Sequence, residues 1–213
     1  MNILILGGGG REHSVAWAVK QNPKCDRLIV APGNAGIAQI AECAALNIED
    51  GDVVAGFCAD NAVDFVIIGP EAPLAAGVAD VLRSNGLVVF GCSQAAAQLE
   101  SSKSFTKAIC DACDAPTARY GHFTDAKAAQ DYVTAQGAPI VIKADGLAAG
   151  KGVVVAMDID TAHTAIDDML GGQFGDPGAA VVIVHVLDGE EASFFVLCDC
   201  KTALPIVTAQ AHH

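Results

Sequence analysis

The residues NILILGGGGREH, at positions 2–13, decide the fold. The apolar run Asn2–Leu6 predicts a buried strand, and four glycines followed by Arg-Glu-His predict a tight turn into a helix. The same alternation recurs, with further strands predicted at Arg27–Val30, Val63–Ile68 and Leu87–Phe90 and helices at His13–Gln21, Asp52–Asp60 and Leu74–Ser84. Alternating strands and helices predict right-handed βαβ crossovers, and therefore an α/β fold with an open parallel sheet.

The composition of the chain narrows the classes of protein to which it can belong. The chain has 213 residues, 52% of them hydrophobic and 17% charged, and its formal net charge is −13. Its longest apolar runs, such as Ala179–Val184 and Val153–Met157, fall far short of the ~20 residues that a membrane-spanning helix needs. Basic residues are few and scattered, so nucleic acid is not an expected partner. Eight cysteines without a framework, and no basic leader after Met1, favour reduced thiols in the cytoplasm.

Two cysteine pairs have spacings that raise the question of a redox or metal role. Cys110 and Cys113 form a CxxC pair, but they lie in a predicted helix, Ser104–Asp114, and no second pair follows at zinc-site distance. Cys198 and Cys200 lie on a predicted strand, where a spacing of two places both thiols on one face. Packing is favoured for both pairs over a redox or metal role.

Three predicted strands are each followed by a loop of unusual composition: residues 7–13, 31–36 and 69–73. Loops at the carboxyl ends of parallel strands line one crevice, where such sheets bind ligands. The first loop lacks the third glycine of a dinucleotide fingerprint in either register, which leaves a nicotinamide-dependent oxidoreductase as the less favoured alternative. Glycine N–H groups at a helix N-terminus beside Arg11 predict a phosphate or carboxylate site instead.

A second unit is predicted to begin near Ser101. Its strands are expected at Thr117–Tyr120, Pro139–Ala144, Gly152–Met157, Ala180–Leu187, Ala192–Cys198 and Ala203–Val207, and its further helices at Asp125–Gln136 and Thr161–Leu170. Antiparallel pairing of Ile140–Lys143 with Val153–Ala156 is expected, because a short glycine-rich loop joins them.

That loop, KADGLAAGKGV at positions 143–153, is not a Walker A motif. It has three residues between its glycines instead of four, and Gly152 replaces the hydroxyl residue after the lysine. It predicts a strand-loop-strand lid that lays backbone N–H groups and Lys151 over a polyphosphate, while Lys143 reaches the phosphates from the strand.

Six motifs occur in order along the chain: GGGREH (8–13), PGNAG (32–36), GPEAPL (69–74), SKSFTK (102–107), KADGLAAGKGV (143–153) and LDGEEAS (187–193). Together they resemble the amino-terminal half of the phosphoribosylamine–glycine ligase (glycinamide ribonucleotide synthetase) family of ATP-grasp enzymes. The resemblance implies a Rossmann-like pre-ATP-grasp domain over residues 1–100, a small α+β ATP-grasp lid domain over 101–188 and the truncated start of the second ATP-grasp half over 189–213. It also implies ATP-dependent ligation of glycine to 5-phosphoribosylamine in purine biosynthesis, through a glycyl phosphate, giving glycinamide ribonucleotide, ADP and phosphate.

The resemblance further implies which residues bind ligands. It places Lys103, Lys143, Gly146, Gly150, Lys151, Gly152 and Leu187 at the nucleotide, Glu191 at its ribose, and Gly10, Arg11, Asn34 and Glu71 at the substrates. Mg²⁺ or Mn²⁺ is expected for the full-length family, with its ligands in the carboxyl-terminal half and none in this chain.

Two segments depart from the family pattern. Val184-His185-Val186-Leu187 stands where the family usually has Glu-Glu-Phe-Leu, so backbone groups would hold the adenine and a carboxylate contact is lost. The chain closes on Ala211-His212-His213 where the family continues with Asp-His-Lys, which predicts a partial chain that is inactive alone. The open alternative is a non-catalytic nucleotide- or ribose-phosphate-binding module, which could pair with a separate carboxyl-terminal chain.

Overall fold

The structure, a computed structural model, describes residues 1–146, 152–171, 180–199 and 201–210. The first of its sheets is parallel. The sheet and the helices around it are β1 (Asn2–Gly7), α1 (Gly10–Lys20), β2 (Arg27–Pro32), β3 (Glu42–Cys43), α2 (Gly51–Asp60), β4 (Phe65–Ile68), α3 (Glu71–Ala75), α4 (Val78–Ser84) and β5 (Val88–Phe90). The strand order is β3-β2-β1-β4-β5, and every pair is parallel. The predicted open parallel sheet is confirmed.

Alternation along β1 divides the core between the two faces of this sheet. Leu4 and Leu6 pack with the apolar side chains of α2 and α4, including Val54 and Leu82. Ile3 and Ile5 point to the opposite face, where α1 packs on β1 and β2. Since successive side chains in a strand point to opposite faces, a continuous apolar run is what a sheet buried on both faces requires.

The second sheet is antiparallel. Four strands form it. The helices and strands of this part of the chain are α5 (Gln94–Ser101), α6 (Lys103–Cys113), β6 (Tyr120–Phe123), α7 (Ala126–Gln136), β7 (Ile140–Ala144), β8 (Val153–Ala156), α8 (Ile159–Leu170) and β9 (Val181–His185). The strand order is β6-β9-β7-β8, and the predicted antiparallel pairing of β7 with β8 is confirmed, with Lys143 opposite Val153. Helices α7 and α8 cover one face of this sheet. The other face carries Lys143.

The third sheet is a hairpin of β10 (Ala192–Cys198) and β11 (Ala203–Gln210), with a register shift between Phe195 and Val196. All residues of both strands are exposed, including apolar ones such as Phe194 (64%) and Ile206 (56%). Among the residues described, none of the helices is long and apolar enough to cross a membrane.

Several predicted bounds were wrong, each for a local reason. The helix predicted at Leu74–Ser84 is two helices, because Gly77 has a φ of +84° and interrupts the helical path. The strand predicted at Thr117–Tyr120 is β6, three residues later, where Tyr120–Phe123 pair with β9. Ala118 lies ahead of the strand, and its carbonyl accepts a hydrogen bond from the Lys107 ammonium (3.0 Å).

Helix α5 was not predicted, although Ser93 caps it through a bond from the Ala96 N–H (3.2 Å). Helix α1 begins at Gly10 instead of His13, so the glycine run contains the helix start. Cys198 is the last residue of β10, and its predicted partner Cys200 lies outside the described residues. Cys110 and Cys113 lie in α6, as predicted, and are free.

Candidate functional site: a loop crevice and a lysine face

The loops at the carboxyl ends of β1, β2 and β4 meet, and we call their meeting point the crevice. The Gly33 N–H donates to the Gly7 carbonyl (3.2 Å), and the Asn34 side-chain amide donates to the Gly8 carbonyl (2.8 Å). Arg11 donates to the Gly69 carbonyl (3.2 Å) from the first loop to the third. The parallel sheet therefore brings together the loops that carry Gly10, Arg11, Asn34 and Glu71.

Asn34 holds the second loop in shape. Its side-chain oxygen accepts from the N–H groups of Gly36 (2.8 Å) and Ile37 (2.9 Å) while its amide bonds the first loop. Gly8 approaches this loop so closely that a Cβ there would lie 2.5 Å from the Gly33 carbonyl oxygen. A side chain at position 8 would force the two loops apart.

Arg11 and Glu71 form an ion pair across the crevice. The Arg11 guanidinium donates to a Glu71 carboxylate oxygen at 2.9 Å, and the two side chains are 68% and 45% exposed. The hydrogen bond from Arg11 lowers the pKa of Glu71, and the bond to Glu71 raises the pKa of Arg11. Gly10 is exposed beside them, and a Cβ there would meet no atom within 4 Å. An anion that reached Arg11 would compete with Glu71 for the guanidinium.

Glu12 is a residue that the sequence analysis missed. It is 6% exposed, and its carboxylate accepts from the Gly9 N–H at 2.6 Å. A Cβ at Gly69 would lie 2.3 Å from a Glu12 oxygen, and one at Gly7 would lie 2.5 Å from its Cγ. Glycines in two loops therefore leave room for one buried carboxylate. The signal in the sequence was a carboxylate two residues after a glycine run, which pattern alone does not distinguish from a solvated helix start.

The second group of predicted residues lies on the face of the antiparallel sheet opposite α7 and α8, which we call the lysine face. Alternation along β7 buries Ile140 and Ile142 under the helices and turns Lys143 to the other face, beside Val182 of β9. Lys103 and Lys107 of α6 lie close enough to Lys143 for its charge to act on both.

Burial lowers the pKa of Lys103, and the positive charge of Lys143 lowers it further against the opposing effect of Asp145. Burial and Lys143 likewise lower the pKa of Lys107, whose ammonium also lies 5.2 Å from the centre of the Tyr120 ring. Three cations that repel one another on a partly buried surface favour an anionic ligand.

Asp145 joins α6 to the loop that follows β7. It accepts from the backbone N–H of Lys103 (2.6 Å) and from the Ser104 hydroxyl, while the Lys103 ammonium donates to the Gly146 carbonyl (2.8 Å). Burial raises the pKa of Asp145, but the bonds from Ser104 and from the backbone outweigh it, and the net shift is downward. The predicted residues Lys103 and Gly146 are therefore in contact.

Five predicted nucleotide-binding residues remain. Gly150 and Lys151 lie outside the described residues, and Gly152 is buried next to β8. Leu187 is 73% exposed after β9, and Glu191 directly precedes β10.

Val184 and His185 point to opposite faces of β9. Val184 packs with Ala118 and Val182 on the lysine face, whereas His185 faces Tyr132 on the helix-covered face. The buried His185 Nε2 has no hydrogen-bond partner among the described residues.

Glu100, at the end of α5, links the two sites electrostatically. Its negative charge raises the pKa of Arg11 in the crevice and opposes the lowering of the pKa of Lys103 on the lysine face. The crevice and the lysine face therefore lie within electrostatic reach of one carboxylate. In the described part of the chain, no three His, Cys, Asp or Glu side chains gather as a metal site.

Comparison with known proteins gives the same family for both parts of the chain. The N domain of phosphoribosylglycinamide synthetase matches residues 1–100, and the ATP-grasp (A) domain of that protein matches residues 101–213. The phosphoribosylamine–glycine ligase of Agrobacterium fabrum is 58% identical over 212 residues, and that of Pseudomonas aeruginosa is 54% identical over 215. Each match covers 100% of this chain and 50% of the relative.

Solved structures with similar folds agree with these matches. The Thermotoga maritima phosphoribosylamine–glycine ligase superposes with a TM-score of 0.79 at 26% identity, over 98% of this chain and 49% of that one. An ADP complex of N5-carboxyaminoimidazole ribonucleotide synthetase has a TM-score of 0.75 at 20% identity, which shows a shared fold. The chain spans about half the length of the curated relatives that it matches, and it belongs to the phosphoribosylglycinamide synthetase family.

Proposed function

We propose that this chain supplies the amino-terminal portion of a phosphoribosylamine–glycine ligase. The full reaction would join glycine to 5-phosphoribosylamine at the expense of ATP and give glycinamide ribonucleotide, ADP and phosphate. Within this chain, residues 1–100 would bind the ribosylamine phosphate, residues 101–188 would bind the ATP phosphates, and residues 189–213 would begin the second ATP-grasp half.

One observation supports this proposal beyond family membership: two cationic arrangements of different kinds lie within electrostatic reach of Glu100. The crevice offers the exposed Arg11 guanidinium, which suits a single phosphate or carboxylate. The lysine face offers Lys103, Lys107 and Lys143, which suit a more highly charged polyphosphate. A ligase that joins a phosphorylated substrate to an acid activated by ATP needs both.

The chemistry assigned to this chain is electrostatic. Transfer of the γ-phosphoryl group to a glycine carboxylate oxygen forms glycyl phosphate and ADP, and the lysines would stabilise the charge that this transfer spreads over the phosphate oxygens. The amine of phosphoribosylamine then attacks the acyl carbon, phosphate leaves, and the amine loses a proton. Arg11 and the loops would hold the phosphate of phosphoribosylamine during this step.

A divalent cation, Mg²⁺ or Mn²⁺, would belong to the half of the protein that this chain does not span. The described residues hold no gathered set of carboxylate, imidazole or thiolate ligands, so no step is assigned to a metal on them.

Complementation tests the proposal. The chain alone should release no ADP in a glycine-dependent reaction. Co-expression with the carboxyl-terminal half of the Agrobacterium fabrum relative should restore glycine- and phosphoribosylamine-dependent ADP release, which Lys143→Met should abolish. Brisk turnover by the chain alone, or restored turnover that is unchanged in Lys143→Met, would contradict the proposal.

A non-catalytic nucleotide- or ribose-phosphate-binding module is the second candidate, because the cations of the crevice and of the lysine face would serve binding alone equally well. It predicts heat on titration of the chain with ATP or ribose 5-phosphate, and no turnover with any added half. Turnover in the complementation assay would exclude it.

A further inference from the structure

Among the described residues, Glu12 is the only charged one that is buried. It is 6% exposed and is the third residue of helix α1. Burial of a carboxylate is costly unless hydrogen bonds or nearby charges compensate for the lost water. One of its oxygens, Oε2, accepts from the Gly9 N–H at 2.6 Å, and the first turn of a helix favours a negative charge. The cost is therefore compensated in part, through one oxygen of the two.

The other carboxylate oxygen, Oε1, has no hydrogen-bond partner among the described residues. It is not sealed from water, because the His185 Nε2 is the only buried side-chain nitrogen or oxygen without a partner in the described part of the chain. A Cβ at Gly69 would lie 2.3 Å from Oε1, so this oxygen reaches solvent beside the start of the third loop. Oε1 is therefore a hydrogen-bond acceptor that opens into the crevice.

Arg11 brings the opposite charge to the same glycine. Its guanidinium donates to the Gly69 carbonyl (3.2 Å), while the Glu12 Oε1 lies against the side of Gly69 that a Cβ would occupy. The pKa of Arg11 is raised first by Glu71 and further by the charge of Glu12. Adjacent residues of α1 therefore offer a cation and an acceptor side by side. A ligand that satisfies both carries an anionic group and a hydrogen-bond donor close together.

The Glu12 carboxylate also keeps a phosphate away from the N-terminus of α1 itself. Unpaired N–H groups and the helix dipole make such an end an anion site. Here the Gly9 N–H is already bonded to Glu12, and the carboxylate would repel a second anion placed beside it. A hydroxyl or an amine suits Oε1 instead, and the anionic group of the ligand is left to Arg11.

We infer that the Glu12 carboxylate accepts a hydrogen bond from a hydroxyl or amine of a sugar phosphate whose phosphate is bound by Arg11. Glu12 is then a specificity-determining residue of the crevice as well as a contact of Gly9. A site built to accept such a bond discriminates against ligands that lack the donor, because they leave its buried polar group unpaired. The inference deepens the proposed function and rests on its assignment of phosphoribosylamine to the crevice.

Titration calorimetry of the chain with two ligands at pH 8 tests this role. Ribose 5-phosphate carries hydroxyl donors, whereas methyl phosphate is a phosphate monoester that has lost its last acidic proton at this pH, its second pKa being about 6. In Glu12→Gln, the amide oxygen can keep the bond from the Gly9 N–H while the NH₂ group replaces Oε1. We expect the wild type to prefer ribose 5-phosphate, and Glu12→Gln to lose at least about tenfold of that preference. Its affinity for methyl phosphate should be unchanged or higher, because a negative charge near Arg11 is removed.

A matched control and a second measurement accompany the variant. Asp52→Asn makes the same change of charge at an exposed side chain in the first turn of α2, and it should leave both affinities unchanged. Thermal unfolding shows whether Glu12→Gln is folded. If it is not, the wild type is titrated with derivatives of ribose 5-phosphate that lack the 1-, 2- or 3-hydroxyl group. At least one of them should bind about tenfold more weakly than ribose 5-phosphate, and smaller losses from all three would overturn the inference.

A Glu12 with only a structural role would weaken the binding of both ligands by the same factor, so a smaller change of preference in folded Glu12→Gln would overturn the inference. Failure of the wild type to prefer ribose 5-phosphate would overturn it too. The complementation assay tests the proposed function separately. Restored turnover with an unchanged preference would refute the role of Glu12 alone, whereas a lost preference without turnover would refute the ligase reaction alone.

Discussion

The crevice and the lysine face differ in how their polar groups are satisfied. In the crevice, Arg11 is paired with Glu71, and Glu12 accepts from the Gly9 N–H. On the lysine face, Lys103 and Lys107 each donate to a backbone carbonyl, but the pKa of both is lowered by burial and by Lys143. The crevice is thus held in shape by its own residues, whereas on the lysine face burial and the repulsion from Lys143 outweigh the effect of the nearby carboxylates. A ligand must compete to enter the first site, and it relieves repulsion at the second.

The largest effect is expected from a substitution that disrupts the internal support of the crevice. Gly69→Ala places a Cβ 2.3 Å from a Glu12 oxygen, and Glu12 is buried, so the third loop must move. We expect a loss of about 1–3 kcal/mol in the free energy of unfolding, as for other overpacked sites. Urea unfolding measures it. A midpoint equal to that of the wild type would show that the loops are not held against Glu12.

Asp145→Asn tests the corresponding anchor at the lysine face. Loss of a carboxylate that accepts from the Lys103 N–H and the Ser104 hydroxyl should cost about 1 kcal/mol at pH 7. The folded-state pKa of Asp145 is below its ordinary value, so the folded protein binds fewer protons there than the unfolded chain. The stabilisation is therefore present above the unfolded-state pKa, about 3.9, and is lost as the pH falls through the lower folded-state value.

Urea unfolding of Asp145→Asn and the wild type at several pH values checks this expectation. The difference between them should be full near pH 7 and should shrink below about pH 4. A difference that does not depend on pH would mean that the carboxylate charge contributes nothing to the anchor.

Glu71→Gln tests the comparison between the crevice and the lysine face further, because it removes the carboxylate charge that is paired with Arg11. Exposed ion pairs contribute only about 0.2–1 kcal/mol, so unfolding should change little. If a phosphate must compete with Glu71, the affinity for ribose 5-phosphate should rise by up to about fivefold, the equivalent of that energy. Titration calorimetry measures it, with Arg11→Met as the opposite control. Weaker binding by Glu71→Gln would show that the carboxylate assists the ligand instead.

The smallest effect is expected at Gly10, where the crevice is open. Gly10→Ala adds a Cβ that meets no atom within 4 Å, at the first residue of α1. Unfolding should change by less than about 0.5 kcal/mol, because the substitution is unstrained and on the surface. Thermal unfolding of this variant beside Gly69→Ala checks it. A loss as large as that of Gly69→Ala would contradict the assigned roles of the two glycines.

Sequence reasoning was accurate where a pattern is local. Alternating apolar runs and turns gave the parallel sheet, and the short glycine-rich connection gave the β7–β8 pairing with Lys143 opposite Val153. The meeting of the three loops was predicted because the carboxyl ends of parallel strands lie at one edge of the sheet.

What the sequence could not give depends on contacts between distant segments. Nothing near Glu12 indicates that Gly69, 57 residues away, makes room for its carboxylate. Asp145 was quoted within a motif, but its bond to the Lys103 N–H depends on how α6 packs on the sheet. The break at Gly77 was missed because apolar spacing continues through it, whereas the positive φ is a property of the folded backbone.

The central claim is that the lysine face binds the phosphates of ATP because its lysines are partly buried and repel one another. Titration of the chain with ATP by calorimetry, at pH 7.5 and pH 9 in two buffers of different ionisation enthalpy, tests it most directly. The account predicts binding with proton uptake that grows towards pH 9, since a polyanion raises the lowered pKa of Lys103 and Lys107. It also predicts at least about tenfold weaker binding by Lys143→Met, while Lys127→Met, at an exposed ion pair with Asp131, binds normally. No binding, binding without proton uptake, or equal affinity in all three proteins would contradict the claim.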